Sequence, residues 1–242
     1  MRITSSSVSS EADFAGGAHR RALIVRRIAG ARRMRLAVDP RDGSVRLTLP
    51  RRVSERAGRA WAEGQRAWVE HQLSLLPSPR PILPGAEIPF RGEDIRIDWS
   101  PAHSRTVRLE GDRLFVGGPV EGVSRRVIAW LRREALRQLE AETRLVAAQA
   151  GVNVGRVSIG DPRSRWGSCS SSGDIRYAWR LILAPPFVLS STVAHEVAHR
   201  LHMDHSLAFR AAEARLLGTD PGPARAWLRH HGAELYWVGC GD

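Results

Sequence analysis

The sequence predicts an α+β protein: a C-terminal domain of helices plus a small antiparallel sheet, preceded by a mostly β N-terminal region with one helix. Three observations predict it. Apolar residues alternate with polar ones through residues 34–38 and 45–49, the two-residue period of half-buried strands. A period near 3.6 governs residues 53–76 and 124–150 instead. Clusters of Pro and Gly at residues 77–81, 117–119 and 185–186 punctuate the chain between these segments.

Taken in order, residues 1–18 are small, polar and without an apolar run, and read as a disordered tail. Residues 19–120 form the N-terminal region. Its strands at 34–38 and 45–49 are joined by Asp39-Pro-Arg-Asp-Gly43, whose Pro and Gly suit a chain reversal. From Val53 the spacing of Ala57, Trp61, Gly64, Trp68, Leu75 and Leu76 predicts one helix with its tryptophans in a core, stopped by Pro77-Ser-Pro-Arg-Pro81. Residues 88–99 and 106–116 read as further strands, the latter reversing at Glu110-Gly-Asp112. The C-terminal domain, residues 121–242, starts with a long helix after Ser124 that ends at Gly151 and turns Val127, Trp130, Leu131, Leu139, Leu145 and Val146 inward. Strands at 154–159 and 175–183 follow. A helix packed through Phe187, Val188, Val193 and Val197 then starts after Pro185-Pro186, with two more at 207–217 and 224–235.

Composition excludes several classes. Two cysteines far apart, Cys169 and Cys240, build neither a disulfide framework nor a cysteine zinc ribbon, and a reducing cytoplasm is the simplest home. No apolar run reaches membrane-spanning length, and the start carries Glu11 and Asp13 in place of the apolar stretch of a signal sequence. The net charge of +12 fits a nucleic-acid partner. All 37 basic residues are arginine, however, and they are spread along the chain, so solvated helix and strand faces account for them better than a dedicated phosphate groove. Nothing in the sequence specifies an oligomeric state.

The chemistry concentrates at His195-Glu-Val-Ala-His199. Residues four apart on a helix project from one face, so two imidazoles can be offered to one ion. Glu196 sits where its carboxylate reaches a water on that ion rather than the ion itself, as a general base requires. With 9 His and 14 Glu in the chain, chance placement yields such a segment about 0.02 times per chain of this composition. The bland alternative, a surface helix with two histidines near its end, is therefore the weaker reading.

A catalytic zinc needs a third protein ligand and an open position. On an unbroken helix His202 lies about 60° off the stripe and rises about 4.5 Å past His199, while residue 205 is turned about 120° away. His205 can join only if the helix ends between Arg200 and Asp204 and the chain doubles back. Ser206, a good N-cap for a helix over 207–217, argues for that ending and favours His205. His202 and Glu213 remain the alternatives.

Residues 163–209 contain Arg165-Trp-Gly-Ser-Cys169, then Trp179-Arg-Leu181 before two prolines, then His195 to His199 and His205-Ser206. This combination resembles the YgjP-like metallopeptidases, relatives of the SprT-like proteins, and the likeness extends more loosely through residues 32–50 and Arg225-Ala-Trp-Leu228. The resemblance implies a zincin-like C-terminal metallopeptidase domain, zinc held by His195, His199 and His205, Glu196 as catalytic base, and a protein or peptide substrate. Ala178 stands where the family often has Asn, Phe209 where it has Trp, and Ser190-Ser-Thr192 where an Asp-Tyr pair is common. These departures bear on substrate contacts. The SprT-like relatives are associated with protein removal from DNA, which the basic charge would fit, but the cysteine zinc ribbon that some of them carry cannot be built from two cysteines, and the role is not carried over.

Other residues carry two readings. Cys169 could be a nucleophile, but with no histidine partner at fixed spacing it reads as structural. Tyr177 and Arg180 lead toward the motif, where an oxyanion donor would serve, although arginine at a strand end is usually just solvated. Trp166 and Trp179 read as walls beneath the motif helix. The readings that compete with a peptidase are a DNA-associated protein and a structural zinc protein with a fourth protein ligand.

Overall fold

The computed structural model describes residues 13–14 and 21–240. The disordered tail expected over residues 1–18 thus lies outside the described residues, apart from Asp13–Phe14, which pair as a short strand. Contacts divide the chain into two units, Met1–Ser78 and Pro79–Asp242.

In the first unit, β1 (Asp13–Phe14), β2 (Arg21–Arg27), β3 (Arg35–Val38) and β4 (Val45–Leu49) form a sheet in the order β1-β2-β4-β3. Strands β2 and β4 run parallel and the other pairs antiparallel. The β3–β4 reversal falls at the expected turn, where Gly43 adopts φ 67°. Along β4, Val45, Leu47 and Leu49 are buried and alternate with partly exposed Arg46 and Thr48. They share a core with Ala62 of α1 (Glu55–Glu63) and with Val69 and Leu73 of α2 (Arg66–Ser74). The one helix expected from Val53 is therefore two. The break comes at Gly64, the residue type that holds helical backbone least well after proline. Trp61 packs against this core, whereas Trp68 is 42 % exposed.

The second unit opens with β5 (Glu87–Phe90), β6 (Glu93–Trp99), β7 (Arg108–Glu110) and β8 (Arg113–Val116), in the order β5-β6-β8-β7. The single strand expected over residues 88–99 is a hairpin closed by Arg91-Gly92, with φ of 55° and 85°. Two positive φ values are what a two-residue hairpin loop demands, and arginine advertises that conformation poorly. The N–H groups of Arg91 and Gly92 donate to the carbonyls of Ile182 and Leu183, at 2.8 and 3.2 Å. A Cβ on Gly92 would lie 2.9 Å from Pro185 Cα, so the turn buttresses the start of the motif helix. Ile88, Ile95, Ile97 and Leu114 share one core with Val127, Leu131 and Val188. This shared core puts the division at Ser78–Pro79, whereas the sequence alone placed a boundary near residue 120.

Helix α3 (Val123–Ala150) ends at Gly151, φ 66°, as expected, with Val127, Trp130, Leu131, Leu139 and Val146 buried. Leu145, expected inward, is 59 % exposed. Strands β9 (Val157–Gly160), β10 (Gly167–Cys169) and β11 (Ile175–Ala178) form a sheet in the order β10-β11-β9. The sheet is mixed rather than antiparallel, because the β10–β11 hairpin folds back to lay β11 parallel to β9. Strand β11 stops at Ala178, short of the expected Leu183. Trp179–Leu183 instead form a 3₁₀ turn that buries Trp179, Leu181, Ile182 and Leu183 together, which an alternating strand cannot do. Helices α4 (Pro186–Ala198), α5 (Leu207–Leu217) and α6 (Gly222–His231) complete the unit. The last is shorter than expected, and Glu234–Trp237 form a separate 3₁₀ turn. Phe187, expected to pack, is exposed at the start of α4. No helix among the described residues is long and apolar enough to cross a membrane.

Candidate metal centre

Helix α4 presents His195 and His199 from a segment that Val188, Val193 and Val197 anchor in the core. It ends at Ala198. The N–H groups of Arg200 and Leu201 then bond the carbonyls of Val197 and Ala198 at 2.9 and 3.0 Å, tightening the last turn. Ser206 caps α5, its Oγ accepting from the Phe209 N–H at 3.3 Å. The chain thus breaks and doubles back in the interval that His205 needs.

The imidazoles of His195, His199 and His205 converge, their donor atoms all within 4.8 Å of one another. Nε2 of His195 and Nε2 of His205 are 3.4 Å apart. A tetrahedral ion with metal–nitrogen bonds of about 2.0–2.1 Å spaces two donors by about 3.3 Å, so the His195–His205 pair is spaced for such an ion and His199 lies within reach of it. The outer ring nitrogens are engaged elsewhere. His195 Nδ1 lies 3.1 Å from Glu213 Oε1, and His199 Nδ1 lies 3.2 Å from the His202 carbonyl. Each pairing leaves Nε2 facing the shared centre. Burial, joined by the charge of His195, holds His199 below the usual imidazole pKa and so favours the neutral form that a ligand requires. Phe209, fully buried, packs against all three rings, with centroids 5.0, 4.6 and 4.8 Å from those of His195, His199 and His205.

Glu213 is buried, and its second carboxylate oxygen accepts from Arg225. Burial alone would raise its pKa, but hydrogen bonds from His195 and Arg225 outweigh it and hold the group below the ordinary carboxylate range. Two alternatives for the third ligand therefore have other work: Glu213 orients His195, and His202 orients His199 through its backbone. Glu213→Gln keeps the shape and removes the charge, and metal affinity is expected to fall by about 10–100-fold, read by competition with a chromophoric chelator. An unchanged affinity would mean that helix packing alone sets the His195 ring.

Glu196 points toward β10. A Cβ on Gly167 would collide with its carboxylate, which explains the glycine of the Arg-Trp-Gly-Ser-Cys segment. Its Oε2 is buried without a hydrogen-bond partner among the described residues. Burial raises its pKa from 4.5 to about 7, with His195 and Arg165 opposing and Glu213 adding to the rise. In metal-free protein this has a definite sign. Between pH 4.5 and 7 the folded chain keeps a proton that the unfolded chain has lost, so stability falls as pH rises through that window, by about 3 kcal/mol in all. The lowered pKa of His199 acts with the opposite sign, so the Glu196 contribution is read as the part of the pH 5 to pH 8 change in urea-unfolding stability of the metal-free protein that Glu196→Gln removes.

The carboxylate opens on a cleft of about 230 Å³ walled by Trp166, Thr192, Ala224 and Leu228. Residues 32–231 match the family model of the YgjP-like metallopeptidase domain. The chain belongs to the YgjP-like family. Membership brings a metallopeptidase-type domain, hence hydrolase chemistry, and implies a bound metal; the matched span takes in the whole histidine cluster. No curated protein and no solved structure matches the chain.

Within the YgjP-like domain, other residues weighed from the sequence prove structural. Arg180 pairs with Asp161 (Nε to Oδ1, 2.9 Å), donates to the Leu235 and Val238 carbonyls at 2.6 and 3.2 Å, and stacks over Trp179 and Tyr236. It clamps the C-terminal turn. Tyr177 is buried with its hydroxyl 2.9 Å from Thr143 Oγ1. Cys169 is half-buried, and burial pushes its thiol pKa up against the opposing charge of Arg200, the reverse of an activated nucleophile. Trp166 is a wall of the cleft, while Trp179 is buried deeper. Glu213, weighed from the sequence as a third ligand, is instead the partner of His195, while Arg225 and Phe209 are residues that spacing did not reveal as partners of the motif.

Proposed function

We propose that the chain is a zinc-dependent peptidase with a zincin-like site, in which His195, His199 and His205 hold the ion and Glu196 is the general base. The observation that carries this reading is the convergence of three imidazoles beside a buried carboxylate whose Oε2 lacks a partner. Three neutral nitrogen donors suit zinc, and no fourth His, Cys, Asp or Glu joins the group among the described residues, which disfavours a closed structural site. When bound, zinc would supply Lewis acidity, polarising a carbonyl and lowering the pKa of water from its bulk value to about 7.

The chain's own residues account for the rest. Glu196, adjacent to the first ligand, accepts a proton from the attacking water on its carboxylate and delivers it to the departing amine nitrogen. Among the described residues β10 pairs only with β11, and the antiparallel pattern leaves the N–H and C=O of Gly167 and Cys169 facing its open edge. An extended peptide laid along that edge gains backbone hydrogen bonds and is oriented across Glu196. Trp166, Ala224 and Leu228 exclude water from one side.

The test is metal removal and return. Dialysis against a chelator should abolish cleavage of an unstructured protein substrate, and one equivalent of zinc should restore it. A zinc-loaded protein that cleaves nothing would favour the structural-zinc reading.

A further inference from the structure

Arg165 lines the Glu196 cleft and also a second, larger one of about 690 Å³. The second cleft lies on the face of the β9-β11-β10 sheet turned away from the core, and Arg156, Ser158, Ser168 and Arg176 complete its polar wall. Strand register places Ser158, Arg176 and Ser168 in one row, while Ile175 and Tyr177, the neighbours of Arg176, are fully buried. Arg176 lies flat on the sheet. Its Nε would be 2.6 Å from a Cβ at Gly160, so that glycine makes room for the guanidinium.

Among the described residues, the three arginines of this cleft are not held by acidic side chains, unlike several others in this chain. Arg46, Arg59, Arg80, Arg113 and Arg137 each sit within ion-pair distance of a carboxylate. Arg156, Arg165 and Arg176 have no such partner and donate no side-chain hydrogen bond among the described residues. The one carboxylate in the cleft, Asp174, accepts from the Arg156 backbone N–H at 2.8 Å and lies 3.5 Å from the Ser172 hydroxyl. Three guanidiniums thus face a concave wall against a single, already engaged carboxylate, and a guest with carboxylates relieves their mutual repulsion. No aromatic ring lines the cleft, so it lacks the stacking surface that single-stranded nucleic acid uses. Arg165 borders both this cleft and the Glu196 cleft, so a guest that reaches from one to the other is an extended chain, a polypeptide.

We propose that this cleft binds the carboxylate side chains of an acidic peptide and sets the substrate preference of the site toward acidic residues on one side of the cleaved bond. The proposal rests on the peptidase reading, and the test separates the two. Zinc-loaded Glu196→Gln protein is titrated into a fluorescent nonapeptide with alternating Glu and into its Gln isostere, read by anisotropy at low salt. The Glu peptide should bind at least about tenfold more tightly, the gain of one charge-assisted pair. Arg176→Glu or Arg156→Glu, added to that protein, should erase the difference while zinc content stays stoichiometric. Equal affinities for the two peptides overturn the proposal. So does a nine-residue oligothymidylate that binds more tightly than the Glu peptide and is weakened by the same substitutions, which would assign the cleft to nucleic acid. Zinc-loaded wild-type protein is then given both peptides. Cleavage without charge preference overturns the acidic subsite and leaves the peptidase, whereas preferential binding with no cleavage overturns the peptidase and leaves the acidic cleft.

Discussion

Glu196→Gln should retain stoichiometric zinc and lose peptide cleavage by about 10²–10⁴-fold. The amide fills the same buried space beside Gly167 and leaves the three imidazoles in place, so the ligand set survives. What disappears is the oxygen that, in the proposed mechanism, takes and returns a proton. His199→Ala provides the contrast. It removes one of three nitrogen donors, and both zinc and cleavage should be lost. Zinc analysis and a single peptide assay on the three proteins suffice. If Glu196→Gln kept wild-type turnover, the base would have to be another group, and the proposed mechanism would fail.

Phe209→Ala should cost about 3–5 kcal/mol in stability and weaken metal binding as well. Phe209 is fully buried and touches every ring of the histidine cluster, so its removal leaves a cavity directly behind the donors. Imidazoles free to rotate into that space must be reordered when an ion binds, and affinity falls accordingly. Urea unfolding measures the first effect and chelator competition the second. Phe209→Leu refills part of the cavity and should recover part of both. A destabilised variant with unchanged zinc affinity would show that Glu213 and the His202 carbonyl hold the rings without help from below.

Much of the site was legible because its chemistry is local. The four-residue repeat of His195 and His199 needs only helical geometry, and Ser206 signals the break that lets His205 return, since capping is an interaction across three residues. Turns marked by Pro or Gly, at Gly43 and Gly151, fell where expected. The misplacements share a cause. Arg91-Gly92 closes a hairpin with a residue that seldom adopts positive φ, and the run Trp179–Leu183 is apolar throughout, so no period distinguishes a buried strand from a buried turn. Leu145 and Trp68 obey the helical spacing of their neighbours and still face solvent, because a period shows which residues share a stripe but not how wide the covering surface is.

The sequence by itself determined the motif helix, the pair His195 and His199 on one face of it, and the break that lets His205 return, all within the reach of one turn and one cap. Only the tertiary structure decided what holds those groups ready. Glu213 meets His195 from another helix, Gly167 meets Glu196 from a strand edge, and Arg225 secures Glu213 from a third helix. Backbone geometry relates residues within a few positions along the chain. Contacts between separate elements depend on how a common core brings their faces together, and no local pattern encodes that distance.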